Sequence, residues 1–392
     1  MNKAILNTDI QNFISRNLNT DTTRISLGKS PFPAVSSKEI AEQIDSKRRS
    51  ENKLPLWFKT KRIYYPNKIA IEQASSEATA RYKSNLICGD KVIDLTGGFG
   101  IDTYFFSKKA AHVTHCEVNK ELSEISRHNS ALLGTDINYV NADGLEYLNI
   151  SNDTFDTIYI DPSRRINSRK VFLLKDCEPD VLNNMDLLFK KSVRIIIKTA
   201  PMLDLQSTIK ELKQVSEVHV ISLKNDCKEI LWLIDRENQA SEPLIICAAL
   251  HNDLVENYAF KMSDEKAFII NKYSEPLTFI YEPDVALLKA GCFKLITRDF
   301  GLKKIHKHTH LYTSKELNIN FIGRKFKTKK IWNYRTFIKE QTIRKSNIIC
   351  RNFPLTPDAL KKKHTISDGG EEYLLFCTGS KNELLVLNCE RI

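Results

Sequence analysis

Between Cys88 and Leu233, short β-branched runs alternate with helical stretches, and the first turn between them is crowded with glycine. The strand candidates are KVIDL, HVTHCEV, INYVNAD, DTIYID, VRIIIKT and EVHVISL, followed by EILWLI. Parallel strands joined by helices give this rhythm, so an α/β fold with a doubly wound, Rossmann-like sheet is expected. The first strand runs into Val92–Asp102, VIDLTGGFGID, where Asp94 is followed by Gly97, Gly98 and Gly100 and then by a helix expected over Tyr104–Lys109. Glycines let a backbone approach a ligand closely, and a helix N-terminus adds free N–H groups and a favourable dipole. The loop therefore reads as a nucleotide cradle.

Two common nucleotides fit poorly. A dinucleotide fingerprint needs G-x-G-x-x-G, and Thr103 stands at the third glycine position. A P-loop needs a Gly-Lys-Ser/Thr ending, which is missing here. The other strand ends narrow the choice. The second strand ends at Glu117, where a carboxylate can grip ribose hydroxyls. The third ends at Ala142-Asp143, where an acid can receive an adenine amino group, and the fourth ends in Asp161-Pro162-Ser163-Arg164-Arg165. Polar groups at four successive strand tips suit one ligand lying across them.

This ordered set resembles the S-adenosylmethionine-dependent class I methyltransferases. Their first motif reads roughly D/E-x-G-x-G-x-G; Asp94, Gly98 and Gly100 match it, while Thr96 replaces the first glycine, as in RNA-modifying members whose loop reads D-x-T-x-G-x-G. The resemblance implies S-adenosylmethionine as cofactor, with Gly98 and Gly100 beside its methionine moiety, Glu117 on ribose and Asp143 on adenine. It also places Asp94, Thr96 and Asp102 in the cofactor loop. The segment IEQASSEATARYKSNL would start a helix near Ser75 or Ser76 and bring Glu72, Gln73 and Ser75 to the pocket, where related enzymes close an element over the cofactor.

In that family the fourth-strand motif holds the substrate. Asp161 can accept a hydrogen bond from an amino or imino group or act as general base, Pro162 stiffens the turn, and Arg164 and Arg165 can clamp a phosphate or base edge. The aromatic of the N/D-P-P-Y motif is missing, which leaves the target atom open. The 5-methyluridine enzymes carry a similar D-P-P-R but need a cysteine after the fifth strand; here that strand runs into Lys198-Thr199-Ala200-Pro201. A guanine or adenine nitrogen is the acceptor expected for Asp161.

Charge supplies the second clue. The chain carries a formal +11, and Gly323–Lys345 alone holds nine bases against Glu340, a net +8. Such a segment attracts polyanions, and Arg324, Lys325, Lys327, Lys329 and Lys330 are the expected RNA contacts. Trp332, Tyr334 and Phe337 lie among these bases and read as core residues rather than stacking faces. YEPDVALLKAG, THLYTS, GRKF, CRNFPLT and DGGEEYLLFCT, in this order, resemble a bacterial methyltransferase family ending in ferredoxin-like and THUMP-like domains. That resemblance implies structured RNA, tRNA or rRNA, as partner.

The expected organisation is a helical region over 1–70, a methyltransferase domain over 71–238, a ferredoxin-like α+β domain over 239–322 and a THUMP-like basic domain over 323–392. The 392 residues leave room for this many domains. His306, His308 and His310 have no acidic or cysteine ligand close by in sequence, so no metal is expected. Nine scattered cysteines with no C-x-x-C pair, no export signal and no apolar run of ~18–20 residues suggest a reduced, cytoplasmic setting without a membrane. Two other functions compete: a methyltransferase for protein or a small molecule, and a non-catalytic RNA-binding protein on a relic fold.

Overall fold

The computed structural model describes residues 1–164, 174–251 and 254–392. They form two compact units, Met1–Val218 with Glu229–Ser241 and His219–Lys228 with Glu242–Ile392.

In the first unit, strands β1 (Lys91–Asp94), β2 (His112–Cys116), β3 (Asn138–Val140), β4 (Phe155–Ile160) and β5 (Ser192–Thr199) pair in parallel in the order β5-β4-β1-β2-β3. Their apolar residues, among them Val92, Ile93, Ile158 and Ile195–Ile197, are almost fully buried, as parallel strands covered on both faces require. Strand order reverses between β1 and β4, which opens a crevice at the carboxyl ends of the strands.

The parallel rhythm stops before the last strand. After β6 (Val215–Leu223), Lys224 and Asn225 both adopt positive φ and the chain returns as β7 (Asp226–Asp235), antiparallel to β5. A two-residue connection makes a hairpin and is too short for a parallel crossover.

Residues 1–70 do not stand apart. Ile10, Ile14, Ile40, Ile44, Trp57 and Tyr64 share one hydrophobic core with Phe99, Ile101, Tyr104, Phe105 and Ile125, which flank or lie on helices Ile101–Phe106 and Lys120–Leu132. Ser36 starts helix Ser37–Lys53 with a capping box to Glu39. From that helix Gln43 exchanges two hydrogen bonds with the Tyr65 backbone, at 2.6 and 3.0 Å, and Asn129 does the same with Tyr64, at 2.8 and 3.0 Å. Buried amides paired to backbone in this way cost no unsatisfied polar group.

The second unit contains the antiparallel pair β8 (Leu244–His251) and β9 (Leu254–Phe260) and a seven-stranded sheet. That sheet comprises β10 (Phe279–Pro283), β11 (Lys303–Lys304), β12 (Tyr312–Ser314), β13 (Gly323–Asn333), β14 (Asn347–Arg351), β15 (Glu372–Thr378) and β16 (Leu384–Arg391), ordered β11-β12-β10-β13-β16-β15-β14. The segments expected as separate domains on either side of residue 322 thus meet in one sheet, β10 pairing with β13 from Phe279–Lys327 to Pro283–Gly323. Phe326, Leu375 and Leu387 form one of its cores; Trp332, Phe337 and Phe376 form another, with Tyr334 packed against it. Trp332 and Phe337 are therefore core residues, as their sequence setting suggested.

Candidate active site

A cavity of about 540 Å³ opens at the carboxyl ends of β1, β2 and β4, within the first unit. Its volume lies in the range of small-molecule sites, ~300–1,000 Å³. Gln73, Ser75, Asp94, Thr96, Gly98, Gly100, Asp102, Glu117, Asp143, Asp161 and Lys198 all line it. The structure thus gathers in one place the residues expected around the cofactor, Glu72 excepted. Glu72 instead pairs with Arg49 at 2.9 Å.

The loop's glycines have distinct physical reasons. Gly98 sits at φ +55, and a Cβ there would meet only Thr96 O at 3.8 Å, so the space beyond it is open to a ligand. Gly100, at φ +80, caps helix Ile101–Phe106, which begins directly after it and earlier than Tyr104. A Cβ on Gly97 would strike the buried His115 ring at 2.2 Å; burial pushes that imidazole down to about 4 and keeps it neutral under the loop.

The acids differ in what they leave free. Asp94 is buried, accepting from Thr103 Oγ1 at 2.6 Å and Thr96 N at 3.0 Å, and burial pushes its carboxyl up to about 7. It shapes the loop from beneath. Glu117 accepts from Gly98 N and Asn119 N, both at 2.8 Å, and remains half-buried at the rim. Asp143 caps helix Gly144–Ile150 through one oxygen, accepting from Glu146 N at 3.0 Å. Thr96 explains the departure from the usual first glycine: its Oγ1 accepts from Asp161 N at 2.7 Å, tying the tip of β1 to the tip of β4.

Behind Asp161 lies a charge network that the sequence reading missed. Lys198 Nζ, at the end of β5, is 2.5 Å from Asp161 Oδ2 and 3.4 Å from Ser75 Oγ. Lys83, with no exposed surface, donates to Ser75 Oγ at 2.7 Å and pairs with Asp102 at 3.0 Å and Glu229 at 2.9 Å. Asp102 also accepts from Ser75 Oγ at 2.7 Å and Tyr159 OH at 2.9 Å. Burial works against charge on Asp102, but Lys83 and Lys198 hold its carboxyl below the usual range. Burial likewise works against charge on Lys198, yet Asp161, Glu229 and Asp102 together raise it above an ordinary lysine. Ser75 and Asp102 therefore spend their polar atoms on the protein. A lysine closing the apolar run Ile195-Ile196-Ile197 at a strand tip was the available signal.

Pro162 follows Asp161 directly and is buried. Arg164 belongs to the short strand Ser163–Arg164, paired with Cys177–Glu178, and Arg165 lies outside the described residues. Among the described residues no group of three His, Cys, Asp or Glu is placed to hold a metal, and no helix is long and apolar enough to cross a membrane.

On the second unit, the basic residues of β13 are unequal. Arg324 Nε and Nη2 both lie 2.5 Å from Glu282, which is fully buried and also pairs with Arg351 at 2.5 Å. Its charge is therefore committed inside the sheet. Lys329 lies 3.5 Å from both Glu372 and Glu390, and Lys330 lies 3.4 Å from Glu340. Lys327 is exposed, and Lys325 is half-buried, its ammonium pulled below the ordinary lysine range by burial.

A ferredoxin-like domain model matches residues 279–321, and a THUMP domain-like model matches residues 323–391. A crystal structure from Porphyromonas gingivalis W83, of a protein assigned as a methyltransferase, is 34% identical; the match covers 99% of this chain and 98% of that one, with a TM-score of 0.87. Proteins named S-adenosylmethionine-dependent methyltransferases from Mycobacterium tuberculosis CDC 1551 / Oshkosh and H37Rv are each 28% identical over 164 residues, 42% of this chain. That match spans 44% of their length, less than half of these curated relatives.

Proposed function

Because the chain belongs to the S-adenosylmethionine-dependent methyltransferases that carry ferredoxin-like and THUMP-like domains, we propose that it methylates structured RNA, tRNA or rRNA. The observation that carries the reading is Asp161, the acid at the fourth strand tip, whose side chain keeps 36% of its surface exposed beside a cavity suited to the cofactor.

The residues present fit S-adenosylmethionine. Gly98 leaves the space its methionine moiety would need, and Glu117, fixed by two backbone donors, keeps lone pairs for ribose hydroxyls. Asp143 has one oxygen in its helix cap and a second for an adenine amino group. The sulfonium supplies an already activated methyl, so the protein's task is to hold the acceptor in line, close and away from water. Asp161 takes a hydrogen bond from the acceptor; its backbone is held by Thr96 and its carboxylate by Lys198. Arg164 and Arg165 would contact a phosphate or base edge.

RNA as substrate is supported by the match to a THUMP domain-like model and by the basic excess of Gly323–Lys345, a net +8 of which Arg324 is spent on Glu282. Lys325 and Lys327 are the contacts favoured there, with Lys329 and Lys330 sharing their charge with neighbouring acids. RNA offers Asp161 two kinds of donor, the base nitrogen expected from the sequence and a ribose hydroxyl.

The test is transfer of labelled methyl from S-adenosylmethionine to total RNA and total protein from cells lacking this chain. The expected result is label in RNA that is lost with Asp161→Ala, in a variant that still binds the cofactor. Label in protein alone would replace RNA by a protein acceptor.

A further inference from the structure

The network behind Asp161 bears on which atom receives the methyl. It joins three carboxylates, Asp161, Asp102 and Glu229, to two ammonium groups, Lys198 and Lys83, with Ser75 Oγ between the lysines. Lys83 and Glu229 are buried and do not line the cavity; of the members that do, Ser75 and Asp102 are also buried, which leaves Asp161 and Lys198 as the charged pair with side-chain surface exposed at the cavity. The carboxylates outnumber the ammonium groups by one. Asp161, the most exposed carboxylate of the three and part of the cavity wall, is the one placed to accept a proton from a group bound there.

An ammonium group at this place discriminates between acceptors. A neutral nitrogen that attacks a methyl becomes positive, and a lysine hydrogen-bonded to the neighbouring carboxylate opposes that charge. A hydroxyl behaves in the opposite way. It is a weak nucleophile until its proton leaves, and negative charge then builds on oxygen, where a fixed cation in a water-poor site stabilises it. Lys198 is held against Asp161 at 2.5 Å and cannot swing away without breaking that pair. Lys83 sits behind it, clamped by Asp102 and Glu229, and keeps Ser75 Oγ turned toward both lysines.

We propose that the acceptor is a hydroxyl oxygen, the ribose 2′-hydroxyl of an RNA nucleotide, a proposal that rests on RNA as the substrate. Lys198 is then a catalytic residue that stabilises the developing oxyanion, and Asp161 accepts the hydroxyl proton. The oxygen–carbon bond forms as the sulfur–carbon bond breaks. The bonding pair stays on sulfur, giving neutral S-adenosylhomocysteine, and Asp161 later returns the proton to solvent. Lys83 and Glu229 act through Lys198 and Ser75 as positioning residues.

The experiment labels RNA from cells lacking the protein with methyl-tritiated S-adenosylmethionine, digests it to nucleosides and splits each glycosidic bond in the mass spectrometer. The methyl is expected on the sugar fragment. Methyl on the base fragment overturns the hydroxyl assignment and leaves RNA as substrate intact; label in protein with none in RNA overturns both. A second measurement uses Lys198→Met and Lys198→Arg. The methionine variant is expected to lose about 10²–10³-fold in kcat and the arginine variant to regain part of it. Calorimetric Kd for S-adenosylhomocysteine is expected to change by less than about threefold, because the contacts proposed for the cofactor centre on Gly98, Glu117 and Asp143. Unchanged kcat in the methionine variant would remove Lys198 from the chemistry, and so would an equal loss of cofactor binding and rate.

Discussion

Gly100 tests whether the cofactor loop has the geometry described. Substitution by alanine meets two separable penalties. At φ +80 a side chain is strained by about 1–2 kcal/mol, the cost of left-handed backbone in an L-residue. The new Cβ would also lie 2.0 Å from Ser126 Oγ, and Ser126 is buried, with its hydroxyl 3.3 Å from Tyr139 OH, so it has little room to turn away. Overpacking of this kind costs about 1–3 kcal/mol. Gly100→Ala should therefore lower the unfolding free energy by about 2–5 kcal/mol. Adding Ser126→Ala removes the clashing oxygen and leaves only a Cβ–Cβ approach of 3.2 Å. The double variant should recover about 1–3 kcal/mol and keep the backbone strain. Urea unfolding of the wild type, both single variants and the double variant, without cofactor, measures the coupling. Additive costs would show that Gly100 and Ser126 do not approach as described, and the packing argument for this glycine would fall. Recovery of the whole cost, with no backbone penalty left in the double variant, would instead refute the strain assigned to φ +80.

Three further outcomes follow from the same site. Asp94→Asn removes a carboxyl whose folded value, about 7, exceeds its ordinary 3.8, so the wild type binds the extra proton when folded and loses stability as pH rises between them; the variant's relative stability should grow over that window by an amount on the order of 4 kcal/mol, read from unfolding at pH 4 to 8. Lys83→Met leaves Asp102 and Glu229 buried without their shared cation and should cost about 3–5 kcal/mol, whereas Lys91→Met, at an exposed pair with Asp153, should cost less than about 1 kcal/mol. Thr96→Val leaves the Asp161 N–H without its acceptor, for a loss of about 1–3 kcal/mol and faster exchange of that amide with solvent.

The strand rhythm and the glycine loop were legible because they are local. Asp94, Gly98, Glu117, Asp143 and Asp161 each stand at a strand end, and the parallel order brings those ends together. What escaped was pairing across long sequence separations. Glu229 is 146 residues from Lys83, and Ser75 is 123 residues from Lys198; no spacing rule links them. Arg324 shows the converse error of counting charge without partners. Its place in a basic run suggested RNA, but Glu282, 42 residues upstream, claims it because β10 and β13 are neighbours. The reversal at β7 was legible in principle, since the two residues Lys224 and Asn225 leave no room for a crossover.

The shared strand seam of the second unit governs where this chain can be cut. A natural subdivision at residue 322 would separate the regions matched as ferredoxin-like and THUMP domain-like. That cut would strip β13 from β10 and bare the backbone donors and acceptors from Phe279 to Pro283. It would also leave Glu282 without both of its arginines, Arg324 and Arg351. A fragment ending there presents a sticky, unpaired ribbon edge with a buried anion beside it, a template for self-association. Gene fusions, tags and protease-resistant fragments should accordingly keep 242–392 uncut, together with His219–Lys228, which belongs to the same compact unit.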